Sequence, residues 1–264
     1  MNIKAYLKRI GVSKAGKLIC SFDTLSLIHF AHVCAIPFEN LDIHLGKKIS
    51  IDTEDIYKKI VEKNRGGYCY EMNGLLYSVL KEMGFEVNFL LARMMYGFNT
   101  IKHRSHQIIL VKINGKSFIA DAGYRNGLSF PIELKAGRIF RQQNEEFFLK
   151  KDKAFGYILK KKVSNNWVDI YSFTLEGYLP IDFTALNFYN STSPDSAFTQ
   201  RIVCSIKTKK GSYSIIDRRF LKTENHETEE TNISGSLHLK KLLKNYFGLS
   251  VPKKDCEILF NKVI

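Results

Sequence analysis

Asn64-Arg65-Gly66-Gly67-Tyr68-Cys69-Tyr70-Glu71-Met72-Asn73 is a glycine turn that runs straight into the start of a helix. Upstream, Asp52 or Thr53 can cap a segment that carries Ile56, Ile60 and Val61 on one face. Paired glycines after Arg65 permit a left-handed exit, so that helix should stop there. Downstream, Met72, Leu75, Leu76, Val79, Leu80 and Met83 recur at helical spacing, and Gly84 is a natural stop. Cys69 therefore sits at a helix N-terminus. Unpaired backbone N–H groups and the positive end of the helix dipole lie near its sulfur and favour the thiolate. Cys20, Cys34, Cys204 and Cys256 read as small core residues.

A reactive thiolate needs a base, and the base needs an orienter. Beyond residue 85 the period shortens. Residues 87–94, 106–113, 117–121, 147–150, 157–163 and 167–173 are β-type runs between turn signals, the pattern of a small barrel or sandwich. Asn114-Gly115 is a type I′ hairpin dipeptide. With a two-residue loop Ile113 faces Lys116, so residue 108 faces Asp121 and His106 faces Gly123. His106 and Asp121 then share a face, one diagonal step apart, at roughly 7–8 Å between backbones. Asp121 ends the apolar run Phe118-Ile119-Ala120, where a carboxylate either caps a turn or holds a histidine. His29 and His32 read as packed side chains with satisfied nitrogens, and His44, His226 and His238 as surface positions. His103 belongs to the approach to the histidine strand. Farther on, 201–207 and 212–217 read as strands, 222–234 as a polar loop, and 236–247 as an amphipathic helix closed by Gly248. These residues alone reach a Cys69-His106-Asp121 nucleophilic site for acyl transfer or thiol hydrolysis. They do not name the acyl donor.

The chain has 264 residues, 40 Lys+Arg against 26 Asp+Glu, and a formal net charge of +14. Its 19 Phe and 13 Tyr argue against disorder. The uncharged stretch 24–38 is too short for a membrane span, which needs about 20 apolar residues. No secretory signal is visible, and five scattered cysteines point to a reducing, cytoplasmic setting. No ligand spacing for a structural metal occurs. The charge invites an anionic partner, and a nucleic-acid module is the reading suggested by charge alone. No base-reading motif accompanies it. The densest basic cluster, Lys150, Lys151, Lys153, Lys160, Lys161 and Lys162, flanks an expected hairpin.

Residues 65–73 match the RGGxCxExN signature of the arylamine N-acetyltransferases. Ile36-Pro37-Phe38-Glu39-Asn40-Leu41 resembles that family's PFENL segment. The strand beginning at His106 and the run Ile119-Ala120-Asp121-Ala122-Gly123 resemble its other two catalytic segments. Thr192-Ser193-Pro194-Asp195-Ser196-Ala197-Phe198 resembles its lead into a third domain. The likeness extends to about residue 205. It implies an α+β fold with an N-terminal helical bundle (1–84), a central β-barrel (85–198) and a C-terminal α/β lid (199–264), built around a cysteine-protease-like or transglutaminase-like catalytic core.

The resemblance also implies ping-pong transfer of acetyl from acetyl-CoA, through acetyl-Cys69, to arylamine, hydrazine or hydroxylamine acceptors. His106 moves protons and Asp121 orients it. Oxyanion donors are expected among the backbone N–H groups at the Cys69 helix start. The analogy places Phe38 and Ser105 near the acceptor, and Gly123, Thr192, Ser193 and Ser196 near CoA. The family commonly continues Asp121-Ala122-Gly123 with Phe and Gly, whereas this chain has Tyr124-Arg125. Arg125 either pairs with a CoA phosphate or is a solvated turn residue. No metal, nucleic acid or membrane is expected as partner, and the chain is expected to be a monomer or homodimer serving xenobiotic metabolism. A transglutaminase-like hydrolase or an amide synthase is the alternative within the same chemistry.

Overall fold

The computed structural model describes residues 1–13, 15–16, 18–97, 100–125, 127–225 and 227–262. Five helices come first: α1 (Ile3–Arg9), α2 (Phe22–Ala35), α3 (Leu41–His44), α4 (Thr53–Tyr57), which runs on as a π-helical turn over Lys58–Glu62, and α5 (Cys69–Glu82). Polar side chains start three of them. Asn2 accepts from Ala5 N at 3.1 Å, Ser21 from Thr24 N at 3.1 Å, and Asp52 from Glu54 N at 2.8 Å. Each satisfies an N–H that the helix itself leaves unpaired.

The exit before Cys69 differs from the expectation. Asn64, at φ 51°, is the left-handed residue, and neither Gly66 nor Gly67 has a positive φ. The glycines answer a different need. A Cβ on Gly66 would lie 2.0 Å from the Pro37 carbonyl oxygen, and one on Gly67 2.6 Å from Glu71 Cβ. The backbone threads between the segment 37–39 and the first turn of α5, and only glycine fits.

Eight antiparallel strands follow the order β5-β4-β3-β2-β9-β8-β7-β6. They are β2 (Glu86–Met94), β3 (His106–Ile113), β4 (Lys116–Ala120), β5 (Ile132–Glu133), β6 (Ile139–Gln142), β7 (Glu145–Asp152), β8 (Gly156–Val163) and β9 (Asn166–Phe173). Asn114 and Gly115 take φ 49° and 75°, the two left-handed residues of a type I′ turn, and Ile113 pairs with Lys116. Ile109 and Val111 pack with Met72, Leu75, Leu76 and Val79 of α5, while Ile108 and Leu110 point the other way, into the sheet's interior with Leu149 and Tyr171. Burial on both faces explains why this strand reads as an unbroken apolar run rather than an alternation. The sheet curls into a nearly closed barrel. Its seam is bridged by a side chain. Gln142, on edge strand β6, accepts from Ser129 N and Phe130 N and donates to the Phe130 carbonyl at 2.7 Å.

After a 3-10 turn (Pro180–Phe183) come α6 (Thr184–Thr192) and α7 (Ala197–Gln200). A second antiparallel sheet has the order β1-β10-β11-β12-β13, with β1 (Phe38–Glu39), β10 (Val203–Lys207), β11 (Gly211–Ile216), β12 (Arg219–Glu224) and β13 (Glu227–Asn232). The expected loop at 222–234 is thus mostly strand. β13 lies at the sheet's edge with every residue exposed, so no buried face imprints a period on it. The expected helix at 236–247 is α8 (Ser236–Phe247), with Gly248 left-handed at φ 67°, and α9 (Lys253–Lys262) follows. Leu239, Leu243 and Leu259 share a core with Ile215 and Phe220 and also with Leu41, so the second sheet is tied to the segment that carries Phe38. Burying each such side chain contributes about 1.5–3 kcal/mol.

The basic cluster on the β7–β9 hairpins is largely paired within the protein. Lys150 meets Asp152, Lys160 Asp169, Lys161 Glu145 and Lys162 Glu146. Among the described residues, no helix is long and apolar enough to cross a membrane.

Candidate active site

Cys69 is the first residue of α5, and a buried ionic network fixes where that helix begins. Glu71 Oε2 reaches back to accept from Tyr68 N at 3.1 Å. Its other oxygen takes Lys59 Nζ at 2.7 Å, and Lys59 also meets Asp42 at 3.0 Å. Arg65 holds Glu39 through Nη2 at 2.7 Å and Asp42 through Nη1 at 3.1 Å. Glu39 spends its second oxygen on Leu41 N at 2.8 Å. Burial works against an ionised Asp42, but Lys59 and Arg65 override it and hold the carboxyl well below the usual range. The Arg-Gly-Gly turn is thereby locked to the Pro-Phe-Glu-Asn segment. Arg65→Met should leave two buried carboxylates short of a cation. It is expected to destabilise the fold by about 3–5 kcal/mol, read from denaturant unfolding; a loss below about 1 kcal/mol would remove the network from this role.

His106 opens β3, and Asp121 follows the last residue of β4. The ladder itself ends at Ile109 and Ala120. Beyond it, His106 Nε2 meets Asp121 Oδ2 at 2.8 Å. The diagonal expected from the hairpin is therefore closed by a direct contact. Cys69 lies close enough to raise His106 further, and Nδ1 is the ring nitrogen that Asp121 does not use. Relative exposures of Cys69, His106 and Asp121 are 2%, 4% and 1%. Burial opposes a charged imidazole, but the Asp121 carboxylate outweighs it, and His106 is pushed up to about 10. Asp121 is held down in turn: burial would raise it, and His106, Asn73 and the Gly123 N–H prevail.

Asn73, which carries no role in the sequence analysis, ties this pair to α5. Its Nδ2 donates to Asp121 Oδ1 at 2.9 Å and to the Gln107 carbonyl at 2.6 Å, and its Oδ1 accepts from Ala122 N at 2.9 Å. It lies one helical turn after Cys69 on the same face, and that spacing was the available signal. Gly123 N completes the set on Asp121 Oδ1 at 3.0 Å. A Cβ on Gly123 would come within 2.8 Å of Cys69 Cα and 2.6 Å of Asn73 Nδ2, so glycine is what lets this loop close on Cys69.

Phe38 lines a cleft with Val33, Met72 and Tyr124, and the same cleft reaches Arg125 and Lys207. Ser105 precedes His106, and its carbonyl accepts from Tyr70 Oη at 2.6 Å. Arg125 is half-buried, has no carboxylate partner among the described residues, and is pushed below its usual range by burial. It also borders a cavity of about 110 Å³ with Glu145, Lys207 and Lys210. Thr192 is exposed at the end of α6 and donates to the Phe188 carbonyl at 2.6 Å. Ser193 Oγ accepts from Asp195 N at 3.3 Å, whereas Ser196 is buried, donates to the Asn190 carbonyl at 2.7 Å and caps α7. These three side chains are engaged within their own turn and not with Cys69, His106 or Asp121.

The histidines depart from the reading in two places. His44 is buried, 2.9 Å from the Arg201 carbonyl, because α3 packs against the end of α7 and against α9. Of the pair in α2, His29 is fully satisfied, but His32 bonds Tyr6 through Nδ1 while its buried Nε2 has no partner among the described residues. His238 is half-buried beside Ser234, and His226 lies outside the described residues. His103 packs edge-on against Tyr189 at 4.8 Å. Among the described residues, no group of three or more His, Cys, Asp or Glu is placed to hold a metal.

A family model described as N-acetyltransferase matches residues 21–256. The chain is 34% identical to arylamine N-acetyltransferase 2 of Mesocricetus auratus, with 96% of each chain covered. Among solved structures, arylamine N-acetyltransferase from Salmonella typhimurium superposes with a TM-score of 0.93 at 26% identity, covering 98% of both chains. The Mycobacterium marinum arylamine N-acetyltransferase in complex with CoA superposes at 0.91 with 26% identity and 99% coverage of each.

Proposed function

The chain belongs to the arylamine N-acetyltransferase family, and from that premise we propose which of its residues carry the transfer of acetyl from acetyl-CoA to an aromatic amine. The observation that carries the assignment is the buried contact of His106 with Asp121 beside a cysteine at a helix start. His106 Nδ1 takes the Cys69 proton, and the sulfur attacks the thioester carbonyl carbon. The carbon–sulfur bond to CoA breaks, and the imidazolium returns the proton to the departing thiolate. An arylamine, hydrazine or hydroxylamine nitrogen then attacks acetyl-Cys69. His106 takes the nitrogen's proton as the carbon–sulfur bond to Cys69 breaks, and hands it back to that sulfur. The Cys69 N–H, first in α5 and without an intrahelical acceptor, serves as one oxyanion donor, a contribution typically of about 2.7–4 kcal/mol. Gly123 N is already committed to Asp121, so it does not serve.

Phe38 and Ser105 form the acceptor side, and Gly123, Thr192, Ser193 and Ser196 the CoA side, with the helical part, barrel and lid dividing near residues 84 and 198. Arg125 is assigned to a CoA phosphate, because a half-buried guanidinium without a carboxylate partner is costly until an anion arrives. Arg125→Ala is expected to raise KM for acetyl-CoA several-fold at low salt with kcat little changed, and an unchanged KM removes it from the cofactor site. The basal test is release of CoA thiol from acetyl-CoA, with and without an aromatic amine. Wild type should release thiol in both cases, stoichiometrically without amine and catalytically with it, and Cys69→Ala in neither.

A further inference from the structure

His29, within α2, is fully buried and spans the two ends of one loop. Its Nε2 accepts the Asp121 backbone N–H at 3.1 Å, and its Nδ1 lies 3.0 Å from the Ser129 carbonyl oxygen. A carbonyl only accepts, so the proton sits on Nδ1 and Nε2 is bare. That is a neutral ring in one tautomer. Burial pushes His29 down to about 4, so neutrality holds throughout the working range.

The residues between these anchors include Asp121, Gly123, Tyr124 and Arg125. The β3–β4 ladder stops at Ala120 and gives the Asp121 N–H no acceptor, and His29 is the one that takes its place among the described residues. From the Ser129 end the hold continues through Ser129 N to Gln142 on β6, and so to the barrel seam.

We propose that His29 is a positioning residue for the transfer: by fixing the peptide plane of Asp121 it aims the carboxylate at His106, and by holding Ser129 it sets the loop that faces the cleft. The inference rests on the Cys69-His106-Asp121 assignment. Asp121 has other anchors on its side chain, in Asn73 and the Gly123 N–H. Those fix Oδ1. Asn73 Oδ1 also holds the following peptide through Ala122 N, and the peptide plane that carries the Asp121 N–H is held by His29.

Two amides of similar size separate the two halves of the clamp. In His29→Gln the side-chain oxygen can stand where Nε2 stood and keep the Asp121 N–H. In His29→Asn the amide nitrogen can stand where Nδ1 stood and keep only Ser129. Two readouts apply: kcat and KM for acetyl-CoA, and the pH profile of iodoacetamide alkylation at Cys69, followed by peptide mass without any acyl donor. His29→Gln is expected to hold kcat and the profile within about threefold of wild type. His29→Asn should lower kcat by about 10- to 100-fold with KM little moved, and displace the profile. Equal losses in the two variants, or a His29→Asn protein with wild-type kcat and profile, overturn the proposal. A wild-type profile matching that of an unassisted thiol would instead overturn the triad assignment, so the two failures are distinguishable.

Discussion

Asp121→Asn is expected to cut acetyl transfer by about 10⁴-fold in a protein that still folds. The reason lies in which atoms face the two carboxylate oxygens. Oδ1 receives Asn73 Nδ2 and Gly123 N, both donors. An amide nitrogen placed there would set donor against donor, so the variant's amide oxygen takes the Oδ1 position. Its NH₂ then faces His106 Nε2, where Oδ2 now stands at 2.8 Å. A donor opposite Nε2 forces that nitrogen to be bare and moves the ring proton to Nδ1. The face toward Cys69 then carries a proton and can no longer accept one. Charge acts in the same direction. Without the carboxylate the largest influence opposing burial is gone, and His106 falls from about 10. Less imidazolium stands beside Cys69 at neutral pH, and alkylation of Cys69 should slow there as well. Thermal melting near that of wild type, with kcat down by orders of magnitude, is the expected pair of readings. A loss smaller than about tenfold would mean that Asp121 does not orient the base.

Much of the site is legible in the chain because two of its parts rest on local rules. Asn114-Gly115 sets a two-residue turn, and the turn sets the register that brings His106 and Asp121 to one face. The Met72 to Leu80 spacing and Gly84 bound α5, and so place Cys69 at its start. What was not legible depends on partners distant in sequence. Gly66 and Gly67 look like a helix exit. Their real constraint is the approach of Pro37 and Glu71, which no local pattern reports. His44 looks solvent-facing until the end of α7 is laid against α3. His29 reads as a packed histidine, and is one, but its partner at Asp121 lies 92 residues away. Residues 222–234 lack periodicity because β13 has no buried side, so its pairing with β12 rests on backbone bonds and on exposed side-chain contacts such as Thr223 with Thr228 and Arg219 with Glu230.

Cys69→Ala is expected to reduce transfer by about 10⁶-fold, the scale at which loss of the nucleophile equals loss of the whole catalytic unit. The helix start, the His106–Asp121 pair and the cleft all remain, so both substrates still bind. No acetyl-enzyme can form, however, and a ping-pong cycle has no other route. Cys69→Ser should keep the fold with little activity, since a hydroxyl gives up its proton far less readily than a thiol does. The central claim is that the acetyl group rests on this sulfur between the two half-reactions. The direct measurement is the mass of the peptide containing Cys69 after brief exposure to acetyl-CoA with no amine present, in wild type and Cys69→Ala. One added acetyl on the wild-type peptide, removed when an aromatic amine is added and absent from the variant, is the predicted result. CoA release with no acetyl on that peptide, or transfer that occurs only when both substrates are present together, would contradict it.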